Sequence, residues 1–407
     1  MKFSIVIPTH NRPALLAVAV KYAMQSDHPE FEVIVSDNSS TDSLKALNAE
    51  AVRQYVDLPN FKLVSPPRHL SPPEHFEFAL DFATGDYIAY LTDKMVLLPH
   101  ALSAVDAMIG TSGVDIVNWA YAPYYVNDSK NPSGAGLLVE ELEYFNGQPK
   151  LYEPLAALRF KSSCIIRRDQ QLSRDYALGK IIFGCYSRDL VNRIRSKSGT
   201  LFGGATHDYS AMVQALSLAN KCVMLNAFGV LFISLPLDES IGSLTTVYAQ
   251  QALNYYKSFT DPEAILSSLL VPGLYASQHN MVAHDYKKFL PIYNYIALFD
   301  EANWLAAIEY DLAFVGKIWQ DARERKDQLR LFGRYVRLAG LRLTLYRSRL
   351  RHRRSALSKR YAESMLARTL SRFTGKTSDA IYQTFESGSL DEAIRHVLCQ
   401  PRTYRQV

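Results

Sequence analysis

Cysteine is scarce in this 407-residue chain: only Cys164, Cys185, Cys222 and Cys399 occur, widely spaced. There is no CxxC or CxxH pair, so neither a zinc ribbon nor a disulfide framework is indicated. Reduced, buried thiols are the expectation. Long apolar runs are absent as well. No stretch of about 18 or more apolar residues occurs, so no bilayer-spanning helix is expected. The N-terminus reads MKFSIVIPTHNRPALL and places Pro8, His10, Asn11, Arg12 and Pro13 where a secretory signal needs its apolar region. A cytoplasmic protein is therefore expected. Glycine is missing from the loop after the first apolar run, PTHNRP. That argues against a nucleotidyltransferase, which needs a glycine-rich loop there to cradle a triphosphate.

What is present is a folding composition, 48% hydrophobic and 21% charged, which excludes a disordered or collagen-like chain. The length predicts two or three domains. The net charge of +5 conceals an asymmetry. Between Lys317 and Arg360 stand fifteen Lys/Arg against Asp321, Glu324 and Asp327. A mildly acidic body thus carries one strongly basic segment, which suggests an anionic partner.

The first quarter alternates strand and helix signals. Phe3–Ile7 (FSIVI), Glu32–Ser36 (EVIVS), residues 61–64, Asp86–Leu91 (DYIAYL) and Val114–Trp119 read as strands. Between them, helices are expected from a cap at Asn11 to about Gln25, from the Asp37–Asp42 turn to about Arg53, after Ser71-Pro72-Pro73, and over Pro99–Ile109. This alternation predicts an α/β domain with a mostly parallel sheet, and ligands in such sheets sit at the carboxyl ends of strands. Leu158–Arg168 and Lys180–Tyr186 look like further strand or edge elements. Ser187–Lys197 reads as an amphipathic helix closed by Gly199. Tyr209, Met212, Val213 and Leu216 mark a helix after His207-Asp208, and Cys222–Leu235 a long strand. The domain is placed at residues 1–240. A helical region follows at 241–407, with helices over Val247–Phe259, Pro262–Leu270 and Trp304–Trp319, and a short helical pair over Thr377–Cys399.

Three pieces in order, SIVIPTHNRPALL, VIVSDNSSTDS and FALDFATGDYIAYLTDKMVLLPHAL, resemble the GT-A glycosyltransferases of the family 2 type. The resemblance covers about the first 110 residues well and continues less tightly to about residue 240. It implies transfer of a sugar from a nucleotide-sugar donor to an acceptor hydroxyl, with inversion, in cell-surface polysaccharide synthesis. It also implies site residues. Pro8 and Thr9 end the first strand where the family grips the nucleotide. Arg12 can meet a diphosphate with its guanidinium fork. Asp37 stands where the family contacts base or ribose, and its alternative role is an Asx turn. Asp208, before a late helix, stands where the family has its general base, and its alternative role is a helix N-cap.

One departure bears on the chemistry. The family usually has an Asp-rich motif at Thr92-Asp93-Lys94, holding a divalent metal on the diphosphate. Asp93 keeps the first acid, expected to hold the ribose or donor sugar, while Lys94 follows it. An ammonium there repels a cation. The expectation is an enzyme with no metal cofactor, Lys94 supplying the positive charge; the alternatives are a bound Mg²⁺ or Mn²⁺, or a decayed site.

His75 takes a place where relatives often have Asn; it is a candidate donor contact, with packing on the helix as its alternative. His207 is expected at the surface, and His279 and His284 as structural or surface residues. Tyr121, Tyr124 and Tyr125 are candidate sugar platforms or core residues. The basic segment 317–360 has three readings: an anionic membrane surface at the inner face, nucleic acid, or a solvated or subunit-facing helix. No nucleic-acid reader motif accompanies it. The membrane reading suits a glycan or glycolipid acceptor. The competing function for the whole chain is a non-catalytic GT-A scaffold that binds a glycan or a partner enzyme.

Overall fold

The protein, a computed structural model, is described over residues 1–110, 113–128, 130–141, 149–164, 176–235, 249–314, 322–341 and 382–399. Its sheet contains β1 (Phe3–Thr9), β2 (Phe31–Asp37), β3 (Phe61–Val64), β4 (Tyr87–Tyr90), β5 (Met95–Leu97), β6 (Ile116–Val126), β7 (Gly136–Glu141), β8 (Lys150–Tyr152), β9 (Gly184–Ser187), β10 (Cys222–Ser234) and β11 (Tyr382–Ser387). The main order is β11-β7-β6-β9-β4-β1-β2-β3, with β10 pairing β5, β6 and β8.

The nucleus β4-β1-β2-β3 is parallel. β1, β2 and β4 are buried on both faces, as parallel strands covered by helices must be, while the edge strand β3 is half-buried. Every residue of β1 is buried. β6 also pairs β10 in parallel, while β9, β7, β5, β8 and β11 join antiparallel. The fold is therefore α/β, with the expected parallel nucleus inside a mixed sheet.

Helices Pro13–Ala23, Asp42–Val52 and Pro72–Leu80 connect the parallel strands. Asn11 does not cap the first of them. Arg12 holds the N-cap position without a side-chain bond. Asn11 lies instead in the left-handed region at φ 59°, which asparagine tolerates. Its side chain bridges to the next loop, accepting from the Ser40 amide at 3.0 Å and donating to Ser40 Oγ at 3.1 Å.

Two other segments differ from the sequence expectation. Where Leu158–Arg168 reads as a strand, the helix Pro154–Ser162 stands, its Pro154 in the first turn as helix starts favour. The end of that reading, residues 165–168, lies outside the described residues. Where Thr377–Cys399 reads as two helices, β11 precedes the helix Leu390–Cys399. β11 adds an edge to β7, and Lys21 and Tyr22 both bond Asp391. The chain end is thus tied back to its first helix.

Before β11, the described α-helices beyond residue 240 are Ala249–Lys257, Pro262–Ser268, Gln278–Phe289, Glu301–Phe314 and Ala322–Leu338. Gln278–Phe289 packs against His207–Leu218 and Glu301–Phe314. No described helix is long and apolar enough to cross a membrane.

Candidate active site

Parallel strands bring their carboxyl ends to one edge. β1 ends at Thr9, which faces Asp37 at the end of β2. β4 lies on the other side of β1 and leads into Asp93. There the side chains meet directly. Thr9 Oγ1 donates to Asp93 Oδ2 at 3.0 Å, and Arg12 Nη1 to Asp93 Oδ1 at 2.9 Å. Both carboxylate oxygens are thus engaged, and Asp93 is 3% exposed. Lys94 Nζ lies 5.0 Å from the centroid of the Phe232 ring. Burial, and next the Arg12 charge, pull the Lys94 ammonium down to about 8, against the opposing pull of Asp93. Among the described residues, Arg12 and Lys94 thus both stand by Asp93 at this strand end.

Loops around the crevice are stapled by side chains. Asn38 donates to Leu70 O at 2.8 Å and accepts from Leu70 N at 3.0 Å. His10 Nδ1 lies 2.8 Å from Asn38 O. Asp37 Oδ1 accepts the Ser39 amide at 2.9 Å, the Asx turn that was its alternative role. His75 is buried, with Nε2 2.9 Å from Ser36 Oγ and 3.1 Å from Ser36 O. That placement packs His75 beneath β2, bonded to Ser36. Pro8 is part of β1, paired with Ser36.

The buried imidazole makes a prediction. Burial lowers the His75 pKa from 6.5 to about 3. Between those values the unfolded chain binds a proton that the fold does not. Its stabilisation is full above about 6.5 and is lost as pH falls, by up to about 1.4 kcal/mol per pH unit. His10 and His207 are lowered by burial too and add the same sign. Denaturation midpoints measured from pH 7 to 5 should fall, and fall less in His75→Gln. Equal slopes in the two proteins would contradict this.

Asp208 opens the helix His207–Leu218. Its partner went unseen in the sequence. Lys180 Nζ, 0% exposed, donates to Asp208 Oδ2 at 2.9 Å. The same ammonium lies 3.6 Å from the Tyr176 ring centroid and 3.8 Å from that of Tyr209. Burial works against both charges, yet the pairing wins: Lys180 is raised well above its ordinary value and Asp208 is lowered. A lysine alone in that interior could not keep its charge. Asp208 is a charged carboxylate that still reaches solvent, at 14% exposure. His207, expected at the surface, instead stacks on Phe76 at 3.9 Å, and Phe76 stacks on Tyr90 of β4.

Two acids hold the segment that carries Asp208. Glu77 Oε2 accepts Thr200 Oγ1 and the Leu201 and Phe202 amides, each at 2.9 Å. Asp285, fully buried, accepts the Ala205 amide at 2.6 Å, the Thr206 amide at 2.9 Å and the Thr206 hydroxyl. Asp285 comes from the helical region, so that region fixes the start of the Asp208 helix. Gly204 must be glycine for the same reason: a Cβ there would lie 2.3 Å from Asp285 Oδ1. The carboxylate is held by these three bonds and by His284 Nδ1 at 2.9 Å, and cannot retreat cheaply. Gly204→Ala should lower the melting temperature by several degrees, the effect of roughly 1–3 kcal/mol of overpacking. An unchanged thermal midpoint would refute the clamp.

With this geometry in place, sequence comparison shows what part of the chain is similar to. Residues 4–169 match the model of Glycosyl transferase family 2. This stretch, about two fifths of the chain, is similar to that family. The chain is 28% identical over 142 residues to the GalNAc(5)-diNAcBac-PP-undecaprenol beta-1,3-glucosyltransferase of Campylobacter jejuni, covering 33% of this chain and 43% of that protein. It is 31% identical over 106 residues to Protein CgeD of Bacillus subtilis, covering 25% of each. The chain spans less than half the length of these relatives. Among solved structures, that of S. aureus TarS 1–349 in complex with UDP-GlcNAc is 14% identical over 78% of this chain and 89% of its own, at a TM-score of 0.46. The mannosyltransferase PcManGT of Pyrobaculum calidifontis, in complex with GDP-Man and Mn²⁺, is 14% identical over 88% and 86%, at 0.42. The matched stretch contains Thr9, Arg12, Asp37, Asp93 and Lys94 but ends before Lys180 and Asp208.

Proposed function

We propose that this chain is an inverting glycosyltransferase that takes its sugar from a nucleotide-sugar donor without a metal ion. One observation carries the reading: a stretch similar to family 2 gathers Thr9, Arg12, Asp37, Asp93 and Lys94 at the carboxyl ends of adjacent strands. Pro8, Thr9 and Asp37 line the end that receives the nucleoside. Arg12 and Lys94 lie by the diphosphate, with Asp93 orienting Arg12. The acceptor oxygen attacks the sugar C1 and gives its proton to the Asp208 carboxylate. The bond from C1 to the diphosphate oxygen breaks, and its electron pair leaves with the diphosphate. Cationic side chains stabilise the charge that develops there.

The donor set does not suit a divalent ion. Hard cations need several oxygen ligands. Here Asp93 has both oxygens taken, by Arg12 and Thr9, and a lysine follows it, while Asp37 Oδ1 accepts the Ser39 amide. No group of three or more metal-ligating side chains occurs among the described residues.

The acceptor is a glycan or glycolipid in polysaccharide assembly, a reading supported by the Campylobacter relative, whose name describes an undecaprenol-linked glycan. Contact with an anionic membrane surface through the basic segment is part of this reading. Of residues 317–360, those from 322 to 341 are described. The helix Ala322–Leu338 turns Phe332 and Val336 inward and leaves Arg330, Arg334 and Arg337 exposed. Its apolar stripe is used in packing, so attraction to lipid would be electrostatic and salt-sensitive.

A thermal-shift screen of nucleotides and sugar nucleotides, with and without Mn²⁺, tests the donor reading. A sugar nucleotide should raise the midpoint equally in both. No shift with any nucleotide would favour a non-catalytic scaffold.

A further inference from the structure

A cavity of about 330 Å³ lies beside the Lys180–Asp208 pair. Helices Pro154–Ser162, His207–Leu218, Gln278–Phe289 and Glu301–Phe314 contribute to its lining, and Lys180 forms part of it. We infer that this cavity is the subsite for a neutral pyranose ring of the acceptor. The inference rests on the glycosyltransferase reading and extends it to a substrate class.

The lining has the chemistry of a sugar site. Tyr176, Tyr209, Tyr286 and Trp304 present aromatic surface, against which the C–H face of a pyranose packs. The size is at the lower end of small-molecule pockets, about 300–1,000 Å³. The aromatic side chains are fixed rather than mobile. Trp304 Nε1 donates to Ser162 O at 2.9 Å, and its ring lies 5.1 Å from that of Tyr286. Polar groups at the edge are fixed as well. His279 Nδ1 lies 2.8 Å from Asp311 Oδ1, and Ser277 Oγ donates to Asp311 Oδ2 at 2.7 Å.

Charge narrows the ligand. Lys180 is paired with Asp208 and His279 with Asp311. These two buried cations are thus balanced within the protein, and the third cation of the lining, Lys161, donates to Tyr176 O at 3.4 Å. Position assigns the role. None of Thr9, Arg12, Asp37, Asp93 and Lys94 lines this cavity, whereas Lys180, bound to the expected base, does. Asp208 does not itself line the cavity; a ring seated here lies against its partner Lys180 and its helix neighbour Tyr209. Tyr286, His279 and Trp304 come from beyond residue 240, so the helical region supplies the acceptor site that the nucleotide-binding domain lacks.

Saturation-transfer NMR on the full chain tests this with methyl glucopyranoside and methyl N-acetylgalactosaminide as probes. At least one should receive saturation. The signal should vanish in Gln278→Trp, a substitution at the exposed rim, and in Val282→Trp, which fills the cavity. In Gln278→Trp the acceptor KM should rise about tenfold or more while donor affinity stays within about twofold. Saturation that is equal in the parent and both variants, or absent with both probes, would overturn the subsite. If no sugar nucleotide binds the parent chain, the glycosyltransferase reading fails; donor binding without an effect of either tryptophan defeats the subsite alone.

Discussion

Asp208→Asn should lower sugar transfer roughly 10²–10⁴-fold, the share that general base catalysis supplies. The amide keeps the shape and can still accept from Lys180, but it cannot take a proton from the acceptor. The same change removes the charge that balances a fully buried ammonium. Breaking a buried pair costs about 3–5 kcal/mol, so stability must be followed alongside rate. Lys180→Met alone leaves the carboxylate near an apolar neighbour and should destabilise by a similar amount. The double variant, Lys180→Met with Asp208→Asn, should recover much of that loss and still be inactive. A double variant that is both stable and fully active would remove Asp208 as the base. Because Asp208 is held below the ordinary carboxylate range, it stays ionised throughout neutral pH. Its protonation should therefore leave no acidic limb on kcat/KM above about pH 4.

Lys94→Gln is the second large effect. If its ammonium stabilises the leaving diphosphate, transfer should fall roughly 10²–10³-fold, as when one preorganised electrostatic group is removed. The pH profile gives an independent check. The Lys94 ammonium is lowered to about 8 by burial and by Arg12. It is charged below that pH and neutral above it. The kcat/KM of the parent should decline as pH rises through about 8, and the residual activity of Lys94→Gln should lack that limb. A parent profile flat to pH 10, or a limb that persists in Lys94→Gln, would contradict the role of this lysine.

Local signals carried the fold of the first domain. β1 and β2 are short runs rich in β-branched residues, and their burial within a parallel nucleus follows from that pattern. The amphipathic helix closed by Gly199 was equally plain, and Gly199 caps it at φ 82°. Thr9, Arg12 and Asp93 could be named because motif order marked their strand ends. Their mutual bonding could not, since Arg12 and Asp93 are 81 residues apart. Lys180 was passed over for a related reason. A lysine in an apolar run reads as a strand edge, and only the fold shows that Asp208, Tyr176 and Tyr209 enclose it. Asp285 and Glu77 were silent for the same cause: their partners are backbone amides, which carry no sequence signature. The C-terminal strand was missed because edge strands depend on the neighbour they pair with, here β7.

Initial rates of transfer after exhaustive chelation bear most directly on the idea that side-chain cations replace a metal at the end of β4. With EDTA present and a sugar nucleotide as donor, the rate should equal that in added Mg²⁺ or Mn²⁺. Transfer abolished by EDTA and restored by Mn²⁺ would contradict it.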